Sequence, residues 1–280
     1  MSRSMALVNR LTSITRPLMM ICRQFSDVSA DLKSVVSSLT SKRKHVPHWY
    51  LYDTRGSEIY EEIVRRSSTY QLWNHEYALL QTHVKDIVGK MSSPAMLVEL
   101  GSGASSKTRP VIEALLERQT ALTYVPVDIA KVQDRLVLGL DMNTDREAVV
   151  RAYVAENTRC PWLDNFIERL NKDFEADMDK MAFEDTVDFV ENPADGDKPS
   201  YIQQYLRSST AQRLHLKKPG LAIDFQAGER LYLSEGPNYS CKYSEHQVRR
   251  LAEKCNFAVE GFWADEEAKY CVVCLVPNEE

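Results

Sequence analysis

Met96-Leu97-Val98-Glu99-Leu100-Gly101-Ser102-Gly103 decides how this chain is read. A short apolar run, interrupted by a single acid, predicts a buried strand over 96–100. Gly101 and Gly103 follow at its end, where glycine lets the backbone bend tightly and approach a ligand closely. A helical pattern begins at Lys107 and carries Val111, Ile112, Leu115 and Leu116, so the glycines lie between a strand and a helix N-terminus with free N–H groups. The next apolar run, Leu122 to Val127, ends on Asp128, the point at which nucleotide-binding α/β sheets place an acid against ribose hydroxyls. Ser106 and Lys107 stand where a dinucleotide fingerprint would carry its third glycine. The short Gly-x-Gly with an acid after the second strand suits S-adenosylmethionine (SAM) better than NAD.

Outward from this centre, helical spacing covers 27–41, 57–66 with Ser57 as the cap, 75–91, 145–155 and 163–177. Leu136 to Leu140 predicts a third strand ending on Asp141. Residues 211–217, 221–225 and 230–234 read as strands of a small sheet. Ser244 to Cys255 reads as a helix, followed by closing strands over 257–263 and 269–276. The acidic, proline-containing stretch 184–200 reads as a loop. Asp141 reads as the cap of the helix over 145–155. Alternating strands and helices predict an α/β fold with a mostly parallel sheet.

The 280 residues carry 35 Lys and Arg against 40 Asp and Glu, a net charge of −5. That balance argues against a surface built for nucleic-acid phosphates. No apolar run approaches the ~20 residues needed to span a bilayer, so neither a nucleic-acid nor a membrane partner is expected. Six cysteines are too sparse for a disulfide scaffold. Cys271 and Cys274 lie in an apolar strand, where i and i+3 face opposite sides, and read as core thiols. No metal site is expected. Residues 1–26 carry Arg3, Arg10, Arg16 and Arg23 and no acid, and Arg23-Gln24-Phe25-Ser26 has the form of a matrix-protease cleavage site. They read as a mitochondrial transit peptide or a disordered extension, with a cytoplasmic protein as the alternative.

The chain resembles the histidine-specific SAM-dependent methyltransferases, the family of the histidine Nα-methyltransferase of ergothioneine biosynthesis. The resemblance rests on Tyr52-Asp53-Thr54-Arg55-Gly56-Ser57-Glu58, on Leu97 to Arg109 with its Gly-Ser-Gly-Ala-Ser-Ser-Lys-Thr core, and on Tyr124-Val125-Pro126-Val127-Asp128-Ile129. It resumes at Leu138-Gly139-Leu140-Asp141, Ala152-Tyr153, Arg169-Leu170-Asn171, Ala227-Gly228-Glu229 and Ser240-Cys241-Lys242-Tyr243, and covers most of 27–280. It implies a Rossmann-like class I methyltransferase sheet with a small α+β substrate lobe. Residues 27–60 and 143–241 would form the lobe, and 61–142 and 242–280 the SAM-binding domain. Gly101, Gly103, Lys107 and Asp128 would hold SAM, with Tyr52 closing over it. Tyr153, Asn238 and Ser240 would meet an amino-acid substrate. No catalytic residue is implied, and nothing in the sequence sets the oligomeric state.

The chain also departs from the family. Only Ile129 to Arg135 separate the acid-bearing strand from the strand at Leu136, where the family has a connection several times longer. The absent part would carry adenine-side contacts, a strand and a Gly-Asn loop that grips the substrate. Asn238 stands in place of the family's substrate-binding Glu, with Glu235 nearby, which removes a negative charge opposite an ammonium or imidazole. A tyrosine pair before the long helix is reduced to Thr69-Tyr70. The expected activity is therefore SAM-dependent N-methylation of a histidine-like amino acid or related small amine. A non-catalytic methyltransferase-like binding protein and a truncated inactive isoform remain the alternatives.

Overall fold

A computed structural model describes residues 28–100, 107–127, 135–154, 160–233 and 239–278. The run at 96–100 forms strand β1 (Met96–Leu100), which pairs in parallel with β2 (Thr123–Val127). Between them lies helix α4 (Arg109–Arg118), with Pro110 in its first turn, where a missing N–H costs nothing. Before β1 come α1 (Val28–Leu39), α2 (Thr54–Arg66) and α3 (Leu72–Gly89). Helix α2 starts a turn earlier than Ser57. Asp53 is its cap and accepts from the Gly56 N–H at 2.7 Å. A Cβ on Gly56 would lie 2.3 Å from the Leu51 carbonyl, so the tight entry into the helix requires glycine.

Strand β3 (Leu136–Asp141) does not join β1. It pairs antiparallel with β11 (Tyr270–Pro277), which pairs antiparallel with β10 (Phe257–Asp265). Among the described residues, no strand pairs with the second edge of β1 or of β3. The expectation of a mostly parallel sheet is thus corrected: β1–β2 is the one parallel strand pairing among the described elements. Helix α3 packs on α4, β11 and β10 and runs across both pieces. Its Leu79, Leu80, Ile87 and Val88 share a core with Val111, Ile112 and Leu115 of α4 and Val272 of β11. On the opposite face of β11, Val273 and Leu275 pack with Val248 and Ala252 of α7 (Glu245–Lys254). Cys271 and Cys274 are both fully buried and in no disulfide, as a strand covered on both sides predicts.

The second body is built on β4 (Phe183–Val190) and β5 (Ser200–Ser208), antiparallel over eight residue pairs. This corrects the reading of 184–200 as a loop, which holds only for 191–199 between the two strands. The acids of β4 have polar partners across the sheet: Glu184 takes Arg207, Asp185 takes the Gln204 amide, and Asp188 takes Arg230 and the Tyr205 hydroxyl. Phe183, Val187 and Phe189 share one face at strand spacing, with Asp185 among them. The other edge of β5 pairs with β8 (Arg230–Tyr232) and β9 (Ser240–Lys242). Strand β8 therefore belongs to this sheet, and β6 (Gln212–Leu216) and β7 (Leu221–Phe225) form a separate hairpin. Helix α6 (Pro161–Phe174) buries Leu163, Phe166, Ile167 and Leu170 against Leu206, Leu231 and the hairpin. Burying each such side chain is worth ~1.5–3 kcal/mol. Helix α5 (Arg146–Tyr153) packs on β4. Its cap is Asp145, which accepts from the Ala148 N–H at 3.1 Å. The expectation that Asp141 caps this helix is corrected, because Asp141 is engaged elsewhere, as described below. No described helix is long and apolar enough to cross a membrane.

Candidate functional site

An aromatic cavity of about 180 Å³ opens where α2, α5, α6 and β5 converge. Tyr52 lies just before α2, Tyr60 and Ile63 are on α2, Tyr70 precedes α3, Tyr153 ends α5 and Trp162 begins α6. The rings meet edge to face in a chain. Tyr52 lies 5.1 Å from Trp162 and 5.8 Å from Tyr60, and Tyr70 lies 5.4 Å from Tyr153, centroid to centroid. His48 stands 5.0 Å from Tyr52. Such offsets place ring edges against ring faces, the arrangement the aromatic quadrupole favours. Burial raises the Tyr52 and Tyr70 phenols above the ordinary tyrosine range and lowers His48. Burial thus disfavours the charged forms of Tyr52, Tyr70 and His48. No Asp, Glu, Lys or Arg is among the described residues that line the cavity.

At one side of the cavity the Tyr153 hydroxyl and Ser240 Oγ hydrogen-bond each other. Behind them stands Lys242, whose side chain is 0% exposed. Its ammonium donates to Asp141 Oδ2 at 2.8 Å, to Ser240 Oγ at 2.9 Å and to the Tyr153 hydroxyl at 3.1 Å. Burial works to lower its pKa, and the Tyr153 and Asp141 contacts outweigh burial and raise it. The other Asp141 oxygen, Oδ1, accepts from the Asn143 N–H at 2.8 Å. Asp141 thus anchors a buried cation at the end of β3.

Tyr52, Tyr153 and Ser240 therefore share one cavity. Lys107 is not among the residues that line it. Its ammonium pairs with Glu76 Oε2 of α3 at 2.8 Å, and the Tyr270 hydroxyl donates to the same oxygen at 3.0 Å. A Cβ on Gly139 would meet the Glu76 carboxyl at 2.6 Å and the Tyr270 hydroxyl at 2.7 Å, so glycine on β3 admits this junction. Glu99 accepts from Thr108 Oγ1 and from the Tyr124 hydroxyl, which ties β1 to β2 and to the approach to α4. Gly101, Gly103, Asp128 and Asn238 lie outside the described residues. What is described is the frame that leads to them. Leu100 is paired with Val127, so β1 and β2 end side by side, and Gly101 and Asp128 are the next residues in the sequence. Carboxyl ends of parallel strands are where open α/β sheets bind nucleotides.

Sequence reasoning missed Lys242 and the engagement of Asp141. A lysine in a three-residue strand looks like a solvated side chain. The only available signal was its place between Ser240 and Tyr243 in a motif carried by the resemblance.

Comparison with known proteins places these features in a family. The profile of the histidine-specific, SAM-dependent methyltransferases matches residues 31–133 and 130–277. The chain belongs to this family. The two matched pieces meet between β2 and β3, where the connection is short. The chain is 25% identical to the histidine N-alpha-methyltransferase of Mycolicibacterium smegmatis, over 83% of this chain and 90% of that protein. It is 24% identical to the protein of the same name from Mycobacterium tuberculosis, over 85% of this chain and 92% of that one. An N-methyltransferase of Aspergillus fumigatus is 31% identical over 39% of this chain and 30% of its own length. The first of these alignments spans 303 positions and takes in 83% of 280 residues, about 232, so about 70 positions carry no residue of this chain. The fold is therefore the family's α/β methyltransferase fold with a shortened sheet, and SAM is the family's cofactor.

Proposed function

We propose that this protein is a SAM-dependent N-methyltransferase that acts on the amine of a histidine-like amino acid or a related small amine. The aromatic cavity, closed at one side by the Tyr153–Ser240 hydroxyl pair, carries this reading. SAM would be held by Gly101, Gly103, Lys107 and Asp128, with Tyr52 at its cover, and supplies a methyl group on a sulfonium. The cavity takes the amine. Ring faces stabilise a cationic nitrogen as it gains a methyl group, because the quadrupole presents negative charge to it. Tyr153 and Ser240 orient the substrate by hydrogen bonds. The enzyme contributes alignment and exclusion of water rather than a covalent step.

The test is calorimetric titration of the full chain with SAM, followed by methyl transfer from labelled SAM to a panel of amino acids. Micromolar binding with transfer to an amino-acid amine supports the reading. A well-folded protein that binds no SAM overturns it. One observation favours a second reading, a methyltransferase-like binding protein or inactive isoform: the second edge of β1 pairs with no described strand. Parallel strands are ordinarily covered and paired on both sides. For residues 1–26 we propose mitochondrial targeting, tested by sequencing the N-terminus of the protein from its own cells. A mature chain that starts at Met1 refutes it.

A further inference from the structure

We infer that Lys242 is a positioning residue that turns the Tyr153–Ser240 pair into a hydrogen-bond donor toward the cavity, so that the ligand group seated there is an acceptor such as a carboxylate. The inference rests on the cavity being the amino-acid site proposed above, and it starts from counting hydrogens. An ammonium has three N–H donors. Those of Lys242 reach Asp141 Oδ2, Ser240 Oγ and the Tyr153 hydroxyl oxygen. Both hydroxyl oxygens therefore accept from the lysine. They also bond each other, which uses one of their two hydrogens. One hydroxyl hydrogen is left over in this network, on a pair whose side chains line the cavity.

The charge sharpens the preference. A cation hydrogen-bonded to a hydroxyl oxygen draws electron density from it and makes its O–H a stronger donor. Lys242 has 0% exposed side chain, so water does not screen it, and the Tyr153 ring lies 5.0 Å from the ammonium and fixes it further. Asp141 sits at the end of β3, next to the antiparallel partner β11. The orientation of the cavity hydroxyls is thereby tied to the methyltransferase sheet rather than to the lobe alone.

Two measurements separate this role from a merely structural one. Lys242→Met alone strands the Asp141 carboxylate, so the comparison uses Lys242→Met with Asp141→Asn, which removes both charges together. The first measurement needs no ligand. Ser240→Cys places a thiol on the lysine, and thiolate absorbance against pH reports its pKa relative to the unsubstituted protein. A nearby ammonium lowers a thiol pKa. Its pKa should rise by about 1 pH unit or more when Lys242→Met and Asp141→Asn are added. An unchanged value overturns the inference.

The second measurement is a double-mutant cycle read by equilibrium binding of L-histidine. Tyr153→Phe should weaken binding about tenfold in the native background, the size of a hydrogen bond to a charged group. In the Lys242→Met, Asp141→Asn background it should cost less than about twofold, because the hydroxyl pair is no longer polarised or oriented. Equal costs in both backgrounds overturn the inference. If the native protein binds no amino acid, the proposed function fails by itself, and the thiol measurement still decides the role of Lys242.

Discussion

Strands β5 and β1 belong to the two bodies of this protein, and they are held very differently. Strand β5 is paired along one edge with β4 and along the other with β8 and β9. Ile202, Tyr205 and Leu206 on it are buried. Strand β1 is paired with β2 alone among the described residues, and Met96 and Val98 on one of its faces are 63% and 38% exposed. The difference follows from how the two kinds of sheet are made. The β4–β5 pair is an antiparallel unit closed by a short connection, so its hydrogen bonds come from neighbouring sequence. A parallel strand needs crossover segments to bring its partners. Shortening the stretch between β2 and β3 removes the supply of partners to β1 and leaves the lobe intact. The body around β5 is thus the robust part, and the β1–β2 pair bears the cost.

The largest test of this contrast is amide hydrogen exchange. Peptides from 200–208 should exchange only through opening that approaches global unfolding, whereas those from 96–100 should open at a cost near that of a loop. That is a separation of several kcal/mol in opening free energy. Equal protection would mean that β1 is as well supported as β5 and would break the comparison. Next in size is Phe166→Ala in the lobe core, where the side chain is 1% exposed. It should cost ~3–5 kcal/mol in denaturant unfolding. Lys242→Met alone should cost a similar ~3–5 kcal/mol by leaving a buried carboxylate unpaired. Most of this loss should return when Asp141→Asn is added. A single variant as stable as the native protein would show that the pair is not held in a dry site. A smaller effect is expected at Ser244, the cap of α7. Its side chain accepts from the Gln247 N–H at 3.1 Å, and Gln247 Oε1 accepts from the Ser244 N–H at 2.9 Å. Ser244→Ala should cost ~1 kcal/mol.

The same contrast explains what could be read from the residues. Strands β1, β2 and β3 were legible because each is a compact apolar run that ends in a glycine or an acid. Strand β11 was legible because Cys271 to Leu275 is apolar without interruption, as a strand covered on both faces requires. Strand β4 was hidden because Glu184, Asp185 and Asp188 interrupt its apolar residues Phe183, Val187, Phe189 and Val190. Those acids are matched by Arg207, Gln204, Arg230 and Tyr205, whose positions depend on the register with β5 and β8 and not on local sequence. The cavity was half legible. Tyr52, Tyr153 and Ser240 stand in motifs, whereas Trp162 and Tyr60 reach the cavity only through the packing of α6 on α2. The anchoring of Lys242 joins β9 to β3 across a hundred residues of chain, and no spacing rule carries such a contact.

The smallest expected effect sharpens the comparison most, because it concerns the open face of β1. Met96 is the most exposed residue on that strand, and its side chain projects to the same face as Val98. Met96→Lys places a charge where a fully covered parallel sheet would bury it. In a strand that another element covers, the unpaired charge would cost several kcal/mol. On the face seen here, the ammonium reaches water, the stem of the lysine covers the same ground as methionine, and the change should stay within ~0.5 kcal/mol. Denaturant unfolding of Met96→Lys beside Leu97→Lys reads the two faces of one strand against each other. Leu97 packs with the core under α3 and should not tolerate the charge. Equal losses at both positions would mean that a further segment covers the outer face in solution, and β1 would then be supported after all. A small loss at 96 with a large loss at 97 would fix the shortened sheet as a one-sided layer, held from the side of α3 and α4.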